Sequence, residues 1–585
     1  MAERPPDDAA SPSEGGASPG AESSRGAPQE PPVRTPSESI LPSTGRLGRF
    51  LQRGAMEQSV AVAAGIVATG FLASRLLGLV RSVAIADAFG TEPELAAYWV
   101  AFRIPDLVFQ LLAGATLSAA FIPVFSRVRM HEGPAEGWRL ASAVLNLVSI
   151  STLAVAGIAF ALAPWIVPLL APGLGEGSGR EAELESLAVE LTRIMLLSPI
   201  FFGVSGMLTG VLNARQHFVA PALAPLFYNA SIIAGALLLA EPMGVRGIAV
   251  AVVVGSVLHM LVQLPALAVV GMRWRPAIDV ASASVREVLR LAGPRVIGLA
   301  ASQFNLVIVL FFASFVSDEA ISAVSYGFLV MMLPVAVVGM AISTAAFPLL
   351  AQQAAARRMG ALAASLTQAL ATILFLAVPA SVGMLLLSEP LVRALLQRGA
   401  FDSASSELVA SVVAIYAVAV FAHAGIEIVS RGFYALSDTR TPVQVTVIAT
   451  LLNVALCAAL VAPFGVEGLA AAASIAAILE FLLLTRLLSL RLGGFGRTAR
   501  RGAGASLPGS LSGSLWRTVA ATAVMAEVVV VMRLLLGAAG ADVGTVGGAA
   551  VVLVLAGAAG LLAYAAAALA LRSEEARQLL GRFVA

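Results

Sequence analysis

The residues that could carry chemistry are arginines placed inside apolar stretches. The first long apolar run contains Ser74, Arg75 and Arg81, and the second contains Arg103 and Asp106. Arg75 and Arg81 are six residues apart, which places them about 9 Å apart along a helix and about 120° apart around it. Ionisable side chains in lipid usually face a polar cavity or a partner. Because the arginine fork suits phosphate oxygens, these five residues predict a cationic cavity for a phosphorylated substrate.

The same residues also allow a purely structural interpretation. Arginines near a helix end can anchor that end at the membrane interface. Arg103 and Asp106 can also form a pair that holds two helices together, and Pro105 between them can open the helix locally. Both interpretations stay open, and the five residues form the candidate substrate-binding set.

A second polar set lies in the tenth apolar run. His423 and Glu427 are four residues apart, so one helix face carries both. A buried carboxylate beside a histidine can bind a cation or carry a proton, which would couple transport to an ion gradient. A hydrogen bond between packed helices is the alternative. Glu190 and Arg193, three residues apart in the fourth run, are expected to pair with each other.

The sequence offers little basis for an enzyme. The four histidines and the single Cys457 are too scattered for a metal centre, and neither a phosphate-binding glycine loop nor a nucleophile elbow occurs in the sequence. We therefore predict a transporter that is not an enzyme, has no cofactor and no metal site, and has no nucleic-acid partner. A monomer is expected.

The elements that must position these side chains are membrane-spanning helices. Hydrophobic residues make up 58% of the 585 residues and charged residues 12%, against about 25% charged residues in soluble domains. Lipid must cover the surplus apolar surface, and runs of about 20 apolar residues recur along the chain. We predict an all-α polytopic membrane protein with fourteen spans: 59–84, 95–126, 139–170, 187–213, 219–240, 246–271, 295–316, 321–350, 361–388, 407–435, 442–463, 466–490, 515–537 and 545–571.

Arginines in the connecting loops predict the orientation. They concentrate before the first span, in the even-numbered loops and after the last span, whereas most odd-numbered loops are acidic or neutral. Basic loops stay on the cytoplasmic side, so both termini are expected to be cytoplasmic. The ninth loop, with Arg393 and Arg398, is the main exception.

The predicted organisation has six parts. They are a disordered cytoplasmic tail (1–55), a six-helix lobe (56–272), an amphipathic linker helix (273–294), a second six-helix lobe (295–492), a cytoplasmic loop (493–513) and a terminal helix pair (514–585). A helix pair that begins at a glycine or proline break could recur in the two lobes, but we expect no repeat that is recognisable from identical residues.

Several segments resemble one known family. In order along the chain they are SRLLGLVRSVAIADAFG (74–90), VAFRIPDLV (100–108), SAAFIPVF (118–125), APWIVPLLAPG (163–173), GVLNARQHFVAPALAPLFYN (210–229), VQLP (262–265), LPVAVVGMAISTAAFPLLA (333–351) and GFYALSDTRTPV (432–443). Each is modest alone, but eight in order resemble the MurJ (MviN) lipid II flippase family of the multidrug/oligosaccharidyl-lipid/polysaccharide exporter superfamily.

The resemblance implies two six-helix lobes around a central cavity, with the last two helices forming a groove for a lipid tail. It implies transport of undecaprenyl-diphosphate-linked peptidoglycan precursor (lipid II) by alternating access for cell-wall synthesis, driven by the membrane potential or an ion gradient. Membrane lipids and cell-wall synthesis proteins are the other expected partners. Ser74, Arg75, Arg81 and Arg103 match functional positions of the family, and Asp106 stands where many relatives have asparagine.

Four positions depart from the family pattern. Charged family positions fall on Ala96, Phe109, Leu329 and Met332. These departures keep two alternatives open, a flippase for another polyprenyl-linked glycan, of O-antigen or exopolysaccharide type, and an inactive scaffold protein. A cation-coupled drug exporter with Glu427 as coupling residue is a further alternative, although the arginines of the first span argue against cationic drugs.

Overall fold

The chain forms a bundle of long helices. The computed structural model describes residues 60–112, 115–176, 178–276, 278–494 and 511–578, and within these ranges it contains no β-strand. The helices are α1 (Val60–Phe89), α2 (Pro93–Leu112), α3 (Ala115–His131), α4 (Pro134–Leu170), α5 (Glu181–Met195), α6 (Ser198–Ala214), α7 (Val219–Leu238), α8 (Ala240–Met243), α9 (Val245–Leu261), α10 (Leu264–Val269), α11 (Ala283–Ser314), α12 (Asp318–Pro334), α13 (Ala341–Ala355), α14 (Met359–Leu386), α15 (Ser388–Leu396), α16 (Ser403–Ala417), α17 (Val420–Ala435), α18 (Arg440–Arg491), α19 (Leu511–Ala538) and α20 (Val546–Ala570). A short π-helix, Val335–Met340, joins α12 to α13.

The predicted fold class is confirmed, but the count of fourteen spans is not. Within the described ranges, 11 helices are long and apolar enough to cross a membrane, or 12 if the pair α16 and α17, bent by 46°, is one span. This count treats Arg440–Arg491 as one helix, although Gly465 interrupts it with φ 55° and ψ −132°. The predicted tail (1–55) and most of the predicted loop (493–513) lie outside the described residues.

The predicted linker helix is not a separate element. Residues 273–276 and 278–282 are not helical, and α11 begins at Ala283 and continues to Ser314. The surface segment and the seventh predicted span are therefore one helix. Val285 and Val288 are buried as the amphipathic pattern predicts, whereas Leu289 is exposed.

The turns between the spans gather at two ends of the bundle, where α5 with α6, α9 with α10, and α12 with α13 each count as one span. We call residues 60–276 the N-half and 278–494 the C-half. The arginine-rich end carries the turns after α3, α6, α10, α13 and α17. The acidic end carries the turns after α1, α4 and α11, where Glu92, Glu94 and Asp318 lie. The alternation of basic and acidic loops in the sequence therefore corresponds to two physical ends of the bundle.

The two halves contain a repeated segment, so the prediction of no letter-level repeat is wrong. Residues 241–251 read EPMGVRGIAVA and residues 462–472 read APFGVEGLAAA. In both, a proline is followed two residues later by a glycine with positive φ, 58° at Gly244 and 55° at Gly465. A helix begins at Val245 in the first copy, and helical geometry resumes after Gly465 in the second.

A polar contact beside this segment also recurs, but with different chemistry. In the N-half, the Arg246 guanidinium donates to the Glu190 carboxylate at 2.8 and 2.9 Å. In the C-half, Ser411 lies 221 residues after Glu190, and Glu467 lies 221 residues after Arg246. The Ser411 hydroxyl donates to the Glu467 carboxylate at 2.8 Å. The predicted pair of Glu190 with Arg193 is wrong, because Glu190 instead binds an arginine of α9.

The terminal helices α19 and α20 pack on α14 and α15 of the C-half. The Tyr564 hydroxyl donates to the Phe375 carbonyl at 2.6 Å, and the Gln397 amide donates to the Gly544 carbonyl at 3.1 Å. The Arg533 guanidinium donates to the Leu386 carbonyl. The terminal pair is therefore held by side-chain bonds to backbone carbonyls as well as by apolar packing.

The recurring contact predicts a charge exchange between the halves. Arg246→Glu alone would face the Glu190 carboxylate with a like charge and should lower stability by up to about 1 kcal/mol, since the pair is half-exposed. Adding Glu190→Ser recreates the C-half pair and should restore stability. The apparent melting temperature in detergent measures both changes. A double variant less stable than Arg246→Glu alone would contradict the equivalence of the two contacts.

Candidate functional site

The first candidate arginine is fixed by a neighbouring helix. Arg81 Nη1 donates to Asn229 Oδ1 at 3.1 Å, across the contact between α1 and α7. The Asn229 side-chain nitrogen donates to the Pro225 carbonyl at 3.0 Å, which turns the amide oxygen towards the arginine. Ser74 contributes its backbone carbonyl, at 3.5 Å from the same nitrogen. Sequence analysis missed Asn229, although it ends the family-like segment 210–229.

Arg103 and Asp106 lie on α2, which continues through Pro105. Within the described chain, Arg103 Nε is buried without a hydrogen-bond partner, and no ion pair joins Arg103 to Asp106. The Asp106 carboxylate instead accepts a bond from the Gln110 side-chain nitrogen at 3.0 Å. Arg103 therefore keeps hydrogen-bonding capacity for another group.

Two tyrosines connect these charges into one cluster. Tyr98 and Tyr228 both lie within electrostatic range of Arg81, and Tyr228 also within range of Asp106. We call Arg81, Tyr98, Arg103, Asp106, Tyr228 and Asn229 the N-half polar cluster. It combines two guanidinium groups and two phenolic hydroxyls with a single carboxylate, which is suited to an anionic ligand.

Arg75 lies apart from the contacts of this cluster. Its side chain is exposed, and its guanidinium stacks 5.1 Å from the centre of the Phe71 ring on the same helix. The structure thus brings Arg81, Arg103 and Asp106 together, with Ser74 at the margin, and leaves Arg75 on the open face of α1. Its role in binding stays a prediction.

The positions that depart from the family pattern are filled by apolar packing. Phe109 packs on Phe202 with ring centres 4.9 Å apart, and Phe202 contacts Tyr228 at 5.0 Å. Ala96 is fully buried. The remaining two departures, Leu329 and Met332, are partly buried against the main core.

The predicted ion-coupling pair has an additional partner. The Glu427 carboxylate accepts a bond from Arg431 at 2.8 Å, and Arg431 also donates to the Thr344 hydroxyl at 3.0 Å. His423 lies one turn before Glu427 on α17. Among the described residues, no group of three or more histidine, cysteine, aspartate or glutamate side chains could hold a metal ion. Ion coupling through His423 and Glu427 stays a prediction.

The C-half has a neutral counterpart of the Arg81 contact. The Asn453 side-chain nitrogen donates to Asn305 Oδ1 at 2.7 Å, across the contact between α18 and α11. The separation along the chain is 148 residues in both pairs. The first helix of each half is therefore bonded to a later helix through an asparagine, but only the N-half pair carries a charge.

At the acidic end, polar bonds join the two halves. The Asp318 carboxylate accepts bonds from the Gly175 N–H at 2.8 Å and the Ser178 hydroxyl at 3.1 Å. The hydroxyls of Thr91 and Ser405 are 2.8 Å apart. The bonds to Asp318 join the loop after α4 to α12. The contact between Thr91 and Ser405 joins the turn before α2 to α16.

Backbone and aromatic contacts also join the two halves at the acidic end. The Ala400 N–H donates to the Asp87 carbonyl at 2.8 Å. Gly90 and Gly399 flank this bond with φ of 54° and 53°, and a Cβ on either would collide with the opposing backbone. Deeper in the bundle, the rings of Trp99, Tyr326 and Phe401 follow one another edge to face, with centres 5.7 and 5.6 Å apart.

The Thr91–Ser405 contact predicts an efficient disulfide. In a Cys457→Ser background, Thr91→Cys with Ser405→Cys should form a bond under mild oxidation, since touching hydroxyls place the Cβ atoms within disulfide range. Thr91→Cys with Ser411→Cys is the control, because Ser411 lies about 9 Å further along α16. Gel mobility after proteolysis between the halves measures the cross-link. Equal yields of cross-linked protein from both cysteine pairs would contradict the contact between Thr91 and Ser405.

Comparison with known proteins identifies the family of this chain. The family model described as "Lipid II flippase MurJ" matches residues 85–546. The lipid II flippase MurJ of Burkholderia cenocepacia is 32% identical over 428 residues, which cover 72% of this chain and 82% of that protein.

Solved structures show the same fold. A lipid II flippase MurJ in an inward closed conformation superposes with a TM-score of 0.71 at 24% identity, covering 88% of this chain and 99% of that one. A MATE family multidrug transporter of the MOP superfamily, in an inward-facing conformation, gives 0.61 at 16% identity, covering 74% and 96%. The family resemblance in the sequence is confirmed: this chain belongs to the MurJ lipid II flippase family.

Proposed function

We propose that this protein moves lipid II, the undecaprenyl-diphosphate-linked peptidoglycan precursor, from the inner to the outer leaflet of the bacterial cytoplasmic membrane. Family membership and the helical membrane fold support this function. The single observation that carries it is the N-half polar cluster, in which Arg81, Arg103 and one carboxylate lie within the apolar bundle and the buried Arg103 Nε has no hydrogen-bond partner among the described residues.

The energetics of the cluster favour an anionic substrate. A charged side chain near the middle of a membrane helix costs about 2.5–3.5 kcal/mol on insertion scales. A hydrogen bond to a charged group returns about 1.5–3 kcal/mol. The bond to Asn229 can offset the cost for Arg81, whereas Arg103 has a buried, unpartnered Nε. A lipid-linked diphosphate would supply the missing acceptors.

The contacts between the halves support access from one side. The acidic end is closed by bonds at Asp318, Thr91 and Ala400. We place the arginine-rich end, and with it both termini, at the cytoplasmic face, because basic loops remain on that side. The substrate would then reach the cluster from the cytoplasm, and rearrangement of the acidic-end contacts would release it outward.

Single substitutions in the cluster test the proposal. Arg103→Gln and Arg81→Gln should each reduce lipid II flipping at least tenfold, since each removes a diphosphate contact. Arg75→Gln tests the outlying candidate in the same way. The measurement is the fraction of lipid II cleaved by an enzyme added outside cells whose own protein is depleted and replaced by the variant.

Arg193→Gln is the matched control. Arg193 is also a membrane-embedded arginine, but it contacts the Phe160 ring and carbonyl instead of the cluster. It should leave flipping unchanged. Normal lipid II exposure in cells that carry Arg103→Gln at wild-type protein levels would contradict the assignment of the cluster.

The apolar residues at four family charge positions support two alternatives. With Ala96, Phe109, Leu329 and Met332 in place of charges, the same fold could carry another polyprenyl-linked glycan or serve as an inactive scaffold. Depletion distinguishes these functions. Accumulation of lipid II inside with lysis supports the lipid II flippase. Normal lipid II exposure with loss of another surface glycan supports the second flippase, and normal exposure of both supports the scaffold.

A further inference from the structure

A second pair of arginines lies at the arginine-rich end of the N-half. Arg129 belongs to the last turn of α3, and Arg215 is the residue that ends α6. These helices pack against each other through a buried cluster that includes Phe121, Phe125 and Leu212. The backbone positions of both arginines are therefore set by a rigid core.

Neither arginine has an acidic partner among the described residues. The Nε atoms of Arg129 and Arg215 are both buried and without a hydrogen bond in the described chain. Two nearby carboxylates pair with other arginines: Glu287 with Arg127, and Glu136 with Arg139. Glu132 lies three residues after Arg129 and, in the part of the chain that the structure describes, forms no ion pair with it. Arg129 lies within electrostatic range of Arg215.

The electrostatic surroundings of Arg215 agree with this arrangement. Burial lowers the pKa of Arg215, and the like charge of Arg129 lowers it further. Such a pair is unfavourable in isolation, since like charges repel and a buried N–H without a partner is costly. A bound anion would relieve both penalties.

The equivalent turn of the C-half is neutralised internally. Gln216 and Ser437 lie in the turns after α6 and α17, with positive φ of 56° and 60°. The next residue in each turn donates its N–H to a backbone carbonyl of the preceding helix, at 2.8 Å and 3.0 Å. In the C-half that next residue is Asp438, which pairs with Arg491. In the N-half it is His217, which is buried and whose two ring nitrogens have no hydrogen-bond partner in the part of the chain that the structure describes.

We propose that Arg129 and Arg215 form a phosphate-binding site at the arginine-rich end. Two guanidinium forks suit the oxygens of a phosphate or diphosphate ester. The site is separate from the N-half polar cluster, because Asn229 lies ten residues into α7, about 15 Å from the turn that carries Arg215. A phospholipid headgroup and a soluble phosphate ester share this chemistry.

The test measures anion binding without transport, so its outcome is independent of the proposed function. The full chain is placed in phosphatidylcholine nanodiscs and titrated with inorganic pyrophosphate at low ionic strength by calorimetry. All variants carry Arg103→Gln, which removes a contact of the N-half polar cluster. Adding Arg129→Gln and Arg215→Gln should weaken pyrophosphate binding at least tenfold.

Arg440→Gln is the matched control, since Arg440 is an exposed arginine at the same end of the C-half. It should leave the pyrophosphate affinity unchanged. If the double glutamine variant does not fold, Arg129→Lys with Arg215→Lys keeps both charges without the forks and should bind several-fold weaker. Affinity equal to that of the Arg103→Gln parent in either folded double variant would overturn the site.

The same titration identifies the source of the phosphate. The titration is repeated in nanodiscs with one-third phosphatidylglycerol, for the Arg103→Gln parent and for the double glutamine variant. A loss of pyrophosphate affinity in the parent but not in the double glutamine variant supports a lipid headgroup as the occupant. An affinity that stays unchanged supports a soluble phosphate ester.

Discussion

The structure depends on one constraint: a charged or polar group inside a lipid-covered helix must find its partner within the protein. Arg431 meets this constraint through Glu427 and Thr344. Arg393 is almost fully buried and is held by Glu389 and Glu407. Arg103 differs from both, because its buried Nε has no partner within the described chain. In the proposed function, the substrate supplies the missing partner.

The sequence predicted what depends on local pattern. Apolar runs and loop arginines predicted the fold class and the two ends, and the arginine spacing drew attention to the first two long helices, which carry Arg81, Arg103 and Asp106 of the proposed site. The predictions failed where the partner lies far along the chain. Glu190 pairs with Arg246 rather than with the nearby Arg193, and Asn229 fixes Arg81 from 148 residues away. Spacing along one helix does not indicate which neighbouring helix supplies a closer partner.

The repeat shows what the two halves keep and what they change. Both keep the backbone geometry, including the break at Gly244 and Gly465. The polar contacts at related places differ in charge, as in Arg81 with Asn229 against Asn305 with Asn453. The N-half thus provides cationic groups, whereas the corresponding C-half contact is neutral. A helical scaffold tolerates this exchange because apolar packing, not any single polar bond, supplies most of its stability.

The backbone bond beside Gly90 and Gly399 has a consequence for the energetics of opening. Within the described chain, the bonds that join the halves at the acidic end use N–H groups, hydroxyls and the Asp318 carboxylate, and they include no ion pair between the halves. Salt screens exposed ion pairs and has less effect on buried hydrogen bonds of this kind. Opening of this end should therefore depend only weakly on ionic strength. With the acidic end facing outward, as proposed, the protein would keep the same closure in media of changing salinity.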